Sequence, residues 1–270
     1  ISAQPPEAPR HVEVEHGQKK GNAKLTPPPL QSQTIKKKSN KPILYNTRIE
    51  VCNETTLSAV ERLDDLPEYK GGVAALNFAS AKNPGGGVRS GARAQEESLA
   101  RASALVRCIQ SGPGYGENKR SKNRLYTDHV TYSPKVPVFR DDQGNLAKSV
   151  EQVRLVSFVS SAAPNRGCVN SRDYAEVDLV LERRIDRVLA IMASHGHRAI
   201  VLGAFGCGVF RNDPLVVAEK FAYFLSKKYF GVFEHVVFAV LSWRGENIGE
   251  FSETLLPLSL PLGDAGEKEV

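Results

Sequence analysis

From residue 48 onward the apolar positions alternate between two rhythms. Short runs rich in Val, Ile, Leu and Phe occur at 48–52, 73–78, 153–159, 198–202 and 235–241. Those at 198–202 and 235–241 are nearly continuous, as in strands covered on both faces. Between the runs, apolar residues recur every three or four positions, the period of a helix with one buried stripe. Leu57, Val60 and Leu63 form the first stripe, after a capping stretch at 53–56. Leu99, Ala102, Leu105, Val106 and Ile109 form the second, in a helix starting at Gln95. Val177, Leu181, Ile185, Val188 and Ile191 form the third, over 174–194. Val217, Phe221, Phe224 and Leu225 form the fourth, with Asp213 as cap and Pro214 at the first helical position. The runs at 129–134 and 136–140 are broken by prolines and belong at a sheet edge or bend. Residues 141–145 read as a turn and 111–123 as an exposed loop.

This alternation predicts an α/β fold: one three-layer domain with a mixed central β-sheet flanked by helices. The domain is expected over 43–251, with 252–270 as a tail or packed extension. Residues 1–42 carry Lys19, Lys20, Lys24, Lys36, Lys37, Lys38 and Lys41 around Pro27-Pro28-Pro29, without apolar periodicity. They read as a disordered basic arm suited to nuclear import or nucleic-acid contact, or as a solvated tail.

Composition changes this picture little. The chain has 270 residues, 41% of them hydrophobic, which permits a sizeable core. Its net charge of +6 owes much to the arm. No apolar run is long enough to span a membrane. Cys52, Cys108, Cys168 and Cys207 are widely spaced, with no CxxC pair, so zinc is not expected. Reduced thiols in an intracellular protein, nuclear or cytoplasmic, are the expectation, and a monomer.

The candidate chemistry sits in two glycine-rich turns. Asn83-Pro84-Gly85-Gly86-Gly87-Val88 follows the run at 73–78, and Gln95-Glu96-Glu97 opens the next helix. Gly206-Cys207-Gly208-Val209-Phe210 follows the run at 198–202. Turns at strand ends in an open α/β sheet are where ligands bind, and glycine lets backbone N–H groups approach an anion. Neither turn is a P-loop or a dinucleotide fingerprint, because the lysine and the glycine spacing are missing. The pair points to a phosphate-bearing ligand with two carboxylates beside it. Taken alone, acidic residues in a first helical turn are also explained by the helix dipole.

The segment 76–87 followed by Gln95-Glu96-Glu97 resembles the signature of poly(ADP-ribose) glycohydrolases, three glycines and then Gln-Glu-Glu. It is most similar to the microbial-type catalytic domain, and 203–214 also looks like that family's second turn. The likeness spans roughly residues 49–241. It implies a macrodomain-like fold that binds ADP-ribose and cleaves the ribose–ribose O-glycosidic bond of poly(ADP-ribose) without a cofactor or metal. By the same resemblance Glu97 is the catalytic acid/base, and Glu96 holds the ribose hydroxyls and orients the bond. Gln95 and Asn83 assist. Gly85, Gly86 and Gly87 line one side of the diphosphate, with Val88 also binding ADP-ribose, and Gly206, Cys207, Gly208 and Val209 the other. Phe210 packs on the terminal ribose. Thr55, Thr56 and 163–165 are candidates for the adenine. The family's animal members carry an accessory domain and a tyrosine-bearing loop that have no clear equivalent here. ADP-ribosylated proteins are the expected partners. Two other readings stay open: a reader of ADP-ribose that does not cut, which the intact Gln-Glu-Glu disfavours, and a hydrolase of mono-ADP-ribose on protein or nucleic acid.

Overall fold

The computed structural model describes residues 44–242 and 247–259. Six strands form one mixed sheet: β1 (Arg48–Cys52), β2 (Ala74–Phe78), β3 (Val130–Val138), β4 (Arg154–Ser161), β5 (Ala199–Leu202) and β6 (His235–Ala239). Their order is β1-β6-β5-β2-β4-β3. All neighbours run parallel except β3, which lies antiparallel to β4 at the edge.

Side chains alternate between the faces of each inner strand, so each face needs its own cover. Val236 and Phe238 of β6, with Ile200 and Leu202 of β5, face a cluster built on α5 (Tyr174–Ser194), α6 (Pro214–Ser226) and α7 (Ile248–Leu255). Val237 and Ala239, with Val201, face α1 (Thr56–Asp64), α2 (Gln95–Ala102) and α3 (Leu105–Ile109). The three-layer α/β arrangement is therefore as the periodicity predicts. The capping predictions also hold: Thr55 Oγ1 accepts from Ser58 N at 3.0 Å, and Asp213 Oδ1 from Leu215 N at 3.0 Å.

Four expectations need correction. The helix predicted from Gln95 through Ile109 breaks at Ser103, whose extended backbone pairs with Val138, while Ala104 N donates to Pro137 O at 3.0 Å. The Ser103 hydroxyl takes Leu105 N at 3.2 Å, so side chain and sheet edge together outcompete the helix. The loop predicted at 111–123 contains α4 (Pro113–Arg120). Its two glycines hide the helix from a propensity reading, yet Gly114 packs against His129 so closely that a Cβ there would lie 2.7 Å from the histidine's Cβ. The two runs at 129–140 form the single edge strand β3, with a register shift between Ser133 and Val136. On α5, Ile191 is only partly buried, and Leu189 and Met192 pack in the core instead.

Phe251 and Leu255 of α7 are fully buried, so residues just past 251 are a packed extension. Ser259 Oγ accepts from Ile49 N at 3.0 Å and ties that end to β1. The arm at 1–42 lies outside the described residues. Among those residues no helix is long and apolar enough to cross a membrane.

Candidate active site

The site lies at the carboxyl ends of β2, β5 and β6, where the loops that follow them converge. Gln95, the first residue of α2, stitches three elements together. Its Oε1 accepts from Phe78 N at 2.9 Å, and its Nε2 donates to Leu76 O at 2.7 Å and Thr56 Oγ1 at 3.1 Å. The helix start is thereby fixed against the exit of β2 and the first turn of α1.

Glu96 and Glu97 are both buried. Glu96 Oε2 accepts from Ser80 N at 2.6 Å, and its Oε1 from Gly85 N at 3.1 Å. Burial nevertheless pushes its pKa up to about 7, with the neighbouring Glu97 charge adding to the shift. Glu97 Oε1 accepts from Gly87 N at 2.8 Å and its Oε2 from Ala94 N at 3.1 Å. Gly86 sits at φ +59, and a Cβ there would collide with the Glu97 carboxylate. Glycine is required at that point twice over, for the backbone and for the contact.

All three glycine N–H groups of this turn are spent, since Gly86 N donates to Asn83 O at 2.8 Å. The second turn differs. Cys207 N donates to Ala204 O at 3.1 Å, but the N–H groups of Gly206, Gly208, Val209 and Phe210 meet no acceptor among the described residues. Gly206 has φ +77 and no room for a Cβ between Ala163 and Asn212. Asn212 Nδ2 holds the turn from behind, donating to Pro164 O at 2.9 Å and Gly206 O at 3.1 Å. This turn is the better anion cradle. Burial pushes the Cys207 thiol up to about 12, so it stays protonated at neutral pH.

A cleft of about 350 Å³ opens between the start of α2 and the second turn. Gln95 and Gly206, Cys207, Gly208, Val209 and Phe210 line it, as do Thr55, Thr56 and Ala163. Glu96, Glu97, Asn83 and the turn from Gly85 to Val88 are absent from its walls. The carboxylates lie behind the first glycine turn, and Asn83 is exposed. The walls also include Glu54, Leu57, Arg93, Asp142 and Asn247, which sequence reasoning did not single out. Asp142, from the turn after β3, is gathered in by the hydroxyls of Thr55 at 2.5 Å and Ser58 at 2.9 Å. Nothing in the sequence near 142 marks it beyond a turn. A larger cavity, about 1050 Å³, surrounds Arg154 and contains none of the predicted site residues. Glu61, Asp64 and Asp65 already neutralise that arginine. Among the described residues no three His, Cys, Asp or Glu side chains gather as a metal-ligating group.

The family model for the microbial-type PARG catalytic domain matches residues 8–141. A poly(ADP-ribose) glycohydrolase from Thermomonospora curvata, solved with the inhibitor ADP-HPD, is 47% identical and superposes with a TM-score of 0.72. The match covers 77% of this chain and 78% of that one. A poly(ADP-ribose) glycohydrolase from Deinococcus radiodurans, solved with ADP-ribose, is 43% identical with a TM-score of 0.73. There the match covers 80% of this chain and 87% of the other. No curated protein sequence matches the chain.

Proposed function

The chain belongs to the microbial-type poly(ADP-ribose) glycohydrolase family, and from that premise we propose that it hydrolyses the ribose–ribose O-glycosidic bonds of poly(ADP-ribose) to release ADP-ribose, with Glu97 as general acid and base. The observation that carries the reading is the pairing of Glu96 and Glu97, held by backbone N–H groups directly after Gln95 of the cleft wall, while the second turn in that wall presents four N–H groups that meet no acceptor among the described residues. The N–H groups of Gly206, Gly208, Val209 and Phe210 take the diphosphate, and the Phe210 ring packs on the terminal ribose. Thr55, Thr56 and Leu57 wall the adenosine end.

The glycosidic bond breaks through an oxocarbenium-like state, so it needs a proton on the leaving oxygen and negative charge near the ribose. Glu97 gives the proton and then takes one from the attacking water. The diphosphate, held close by the second turn, stabilises the developing positive charge. Glu97 must first release the N–H of Gly87 to reach the cleft, and the three glycines give the turn the freedom to let it go. Glu96 then orients the ribose hydroxyls.

A second assignment of the proton donor has one observation in its favour: burial pushes the Glu96 pKa up to about 7, suited to acid chemistry at neutral pH. A time course on automodified polymerase separates the two, using wild type, Glu97→Gln and Glu96→Gln. The expected result is ADP-ribose release by wild type, a rate loss of roughly a hundred-fold or more in Glu97→Gln, and retained ADP-ribose binding by that variant. The larger loss in Glu96→Gln would move the acid to that residue. Binding without turnover by wild type would make the protein a reader. Release only from mono-modified protein or DNA would make it a mono-ADP-ribosyl hydrolase.

A further inference from the structure

Three loops meet on the outer side of Phe210. Tyr126, between α4 and β3, places its ring 6.0 Å from that of Phe210, with the planes inclined by 42°. Lys82, from the loop after β2, holds its ammonium 5.9 Å from the centre of the Tyr126 ring.

Tyr126 sits at φ +65, a left-handed conformation that residues with a Cβ avoid. The surrounding structure enforces it. The guanidinium of Arg184, fully buried, donates to the carbonyls of Leu125 and Tyr126 and is held by Asp128 at 3.0 Å. Asn118 accepts from Thr127 N at 2.8 Å and donates to Ala81 O at 3.0 Å, locking this segment to the Lys82 loop. The core does not need the ring: Tyr126 belongs to none of the buried apolar clusters and is partly exposed. A strained backbone, held by a buried arginine to present an aromatic ring beside Phe210 of the cleft wall, suits a recognition residue.

An aromatic face beside an ammonium suits a nucleobase with its phosphates. The substrate of the proposed reaction repeats both. With the terminal ribose on Phe210, the next nucleotide unit begins just outside that ring, where Tyr126 and Lys82 stand. We propose that Tyr126 and Lys82 form a subsite for the polymer unit on the leaving side of the scissile bond, Tyr126 stacking its adenine and Lys82 contacting its diphosphate. The inference rests on the glycohydrolase reading and deepens it.

Two measurements are paired so that each can fail separately. Release of ADP-ribose by wild type tests the reaction. Affinity for labelled poly(ADP-ribose), against affinity for ADP-ribose itself, tests the subsite. Tyr126→Gly removes the ring while relieving the backbone, so the fold is kept. It is expected to bind polymer about ten-fold more weakly, the loss a missing base stack brings, with ADP-ribose affinity little changed. Tyr126→Phe keeps the ring and restores polymer affinity. Lys82→Gln weakens polymer binding and flattens its salt dependence. Unchanged polymer affinity in Tyr126→Gly overturns the subsite. So does an equal loss for polymer and ADP-ribose, which would mean that the ring only props Phe210.

Discussion

Gly86 is constrained by its backbone angle and by its neighbour at once. A Cβ on it would run into the Glu97 carboxylate, and its backbone angle is one that other residues avoid. Gly86→Ala is expected to cost on the order of 1–3 kcal/mol of stability from strain alone and to abolish turnover by displacing Glu97. A denaturant midpoint and a polymer assay check both, and a variant normal in each would overturn the placement. Glu96 makes a different prediction. Its pKa is about 7 folded and 4.5 free, so the folded state binds the extra proton between those values. Its contribution is fully present below about pH 4.5 and is lost as pH rises through about 7, on the order of 3 kcal/mol at most. Urea titrations from pH 4.5 to 8 should show that decline in wild type and not in Glu96→Gln. At this scale the sequence was informative where glycine or paired acids concentrate. Asp142 was not legible as a site residue, because it acts through a contact with Thr55 tens of residues away, and Asn212 because it joins its own turn to the distant Pro164.

At the level of elements, capping chemistry explains most of what could be foreseen. Thr55 closes the first turn of α1 and also binds Asp142 of the cleft. Thr55→Ala is expected to cost about 1 kcal/mol and to loosen the Asp142 turn. A thermal melt with an ADP-ribose titration reads both effects, and unchanged values would show that the cap is dispensable. The long strands and helices announced themselves because their periods are sustained, α5 over 21 residues. The failures have local causes. Ser103 ends α2 because its backbone finds partners on the distant strand β3, a competition no window of sequence contains. Gly114 and Gly116 mask α4, although Gly114 is there to admit His129.

For the whole molecule, the two faces of the sheet divide the labour. The α1–α3 face carries Glu96 and Glu97 and the first glycine turn, and the α5–α7 face holds the second turn through Phe205, Cys207 and Phe210. α7 closes that second layer through Phe251, which touches the cluster around Phe238 with ring centres 5.8 Å apart. Phe251→Ala is expected to lower stability by about 3–5 kcal/mol, with residual activity per folded molecule unchanged. A calorimetric scan and an active-fraction measurement test this. Loss of specific activity without loss of stability would contradict it.

The first glycine turn also bears on how fast the enzyme can work. The N–H groups of Gly85 and Gly87 already donate to the two carboxylates, so a diphosphate bound there as proposed trades one set of hydrogen bonds for another. The net gain is small on that side, and grip falls mainly to the second turn. On the proposed reading, a product gripped mainly by one turn is expected to dissociate readily, which a stopped-flow ADP-ribose off-rate checks.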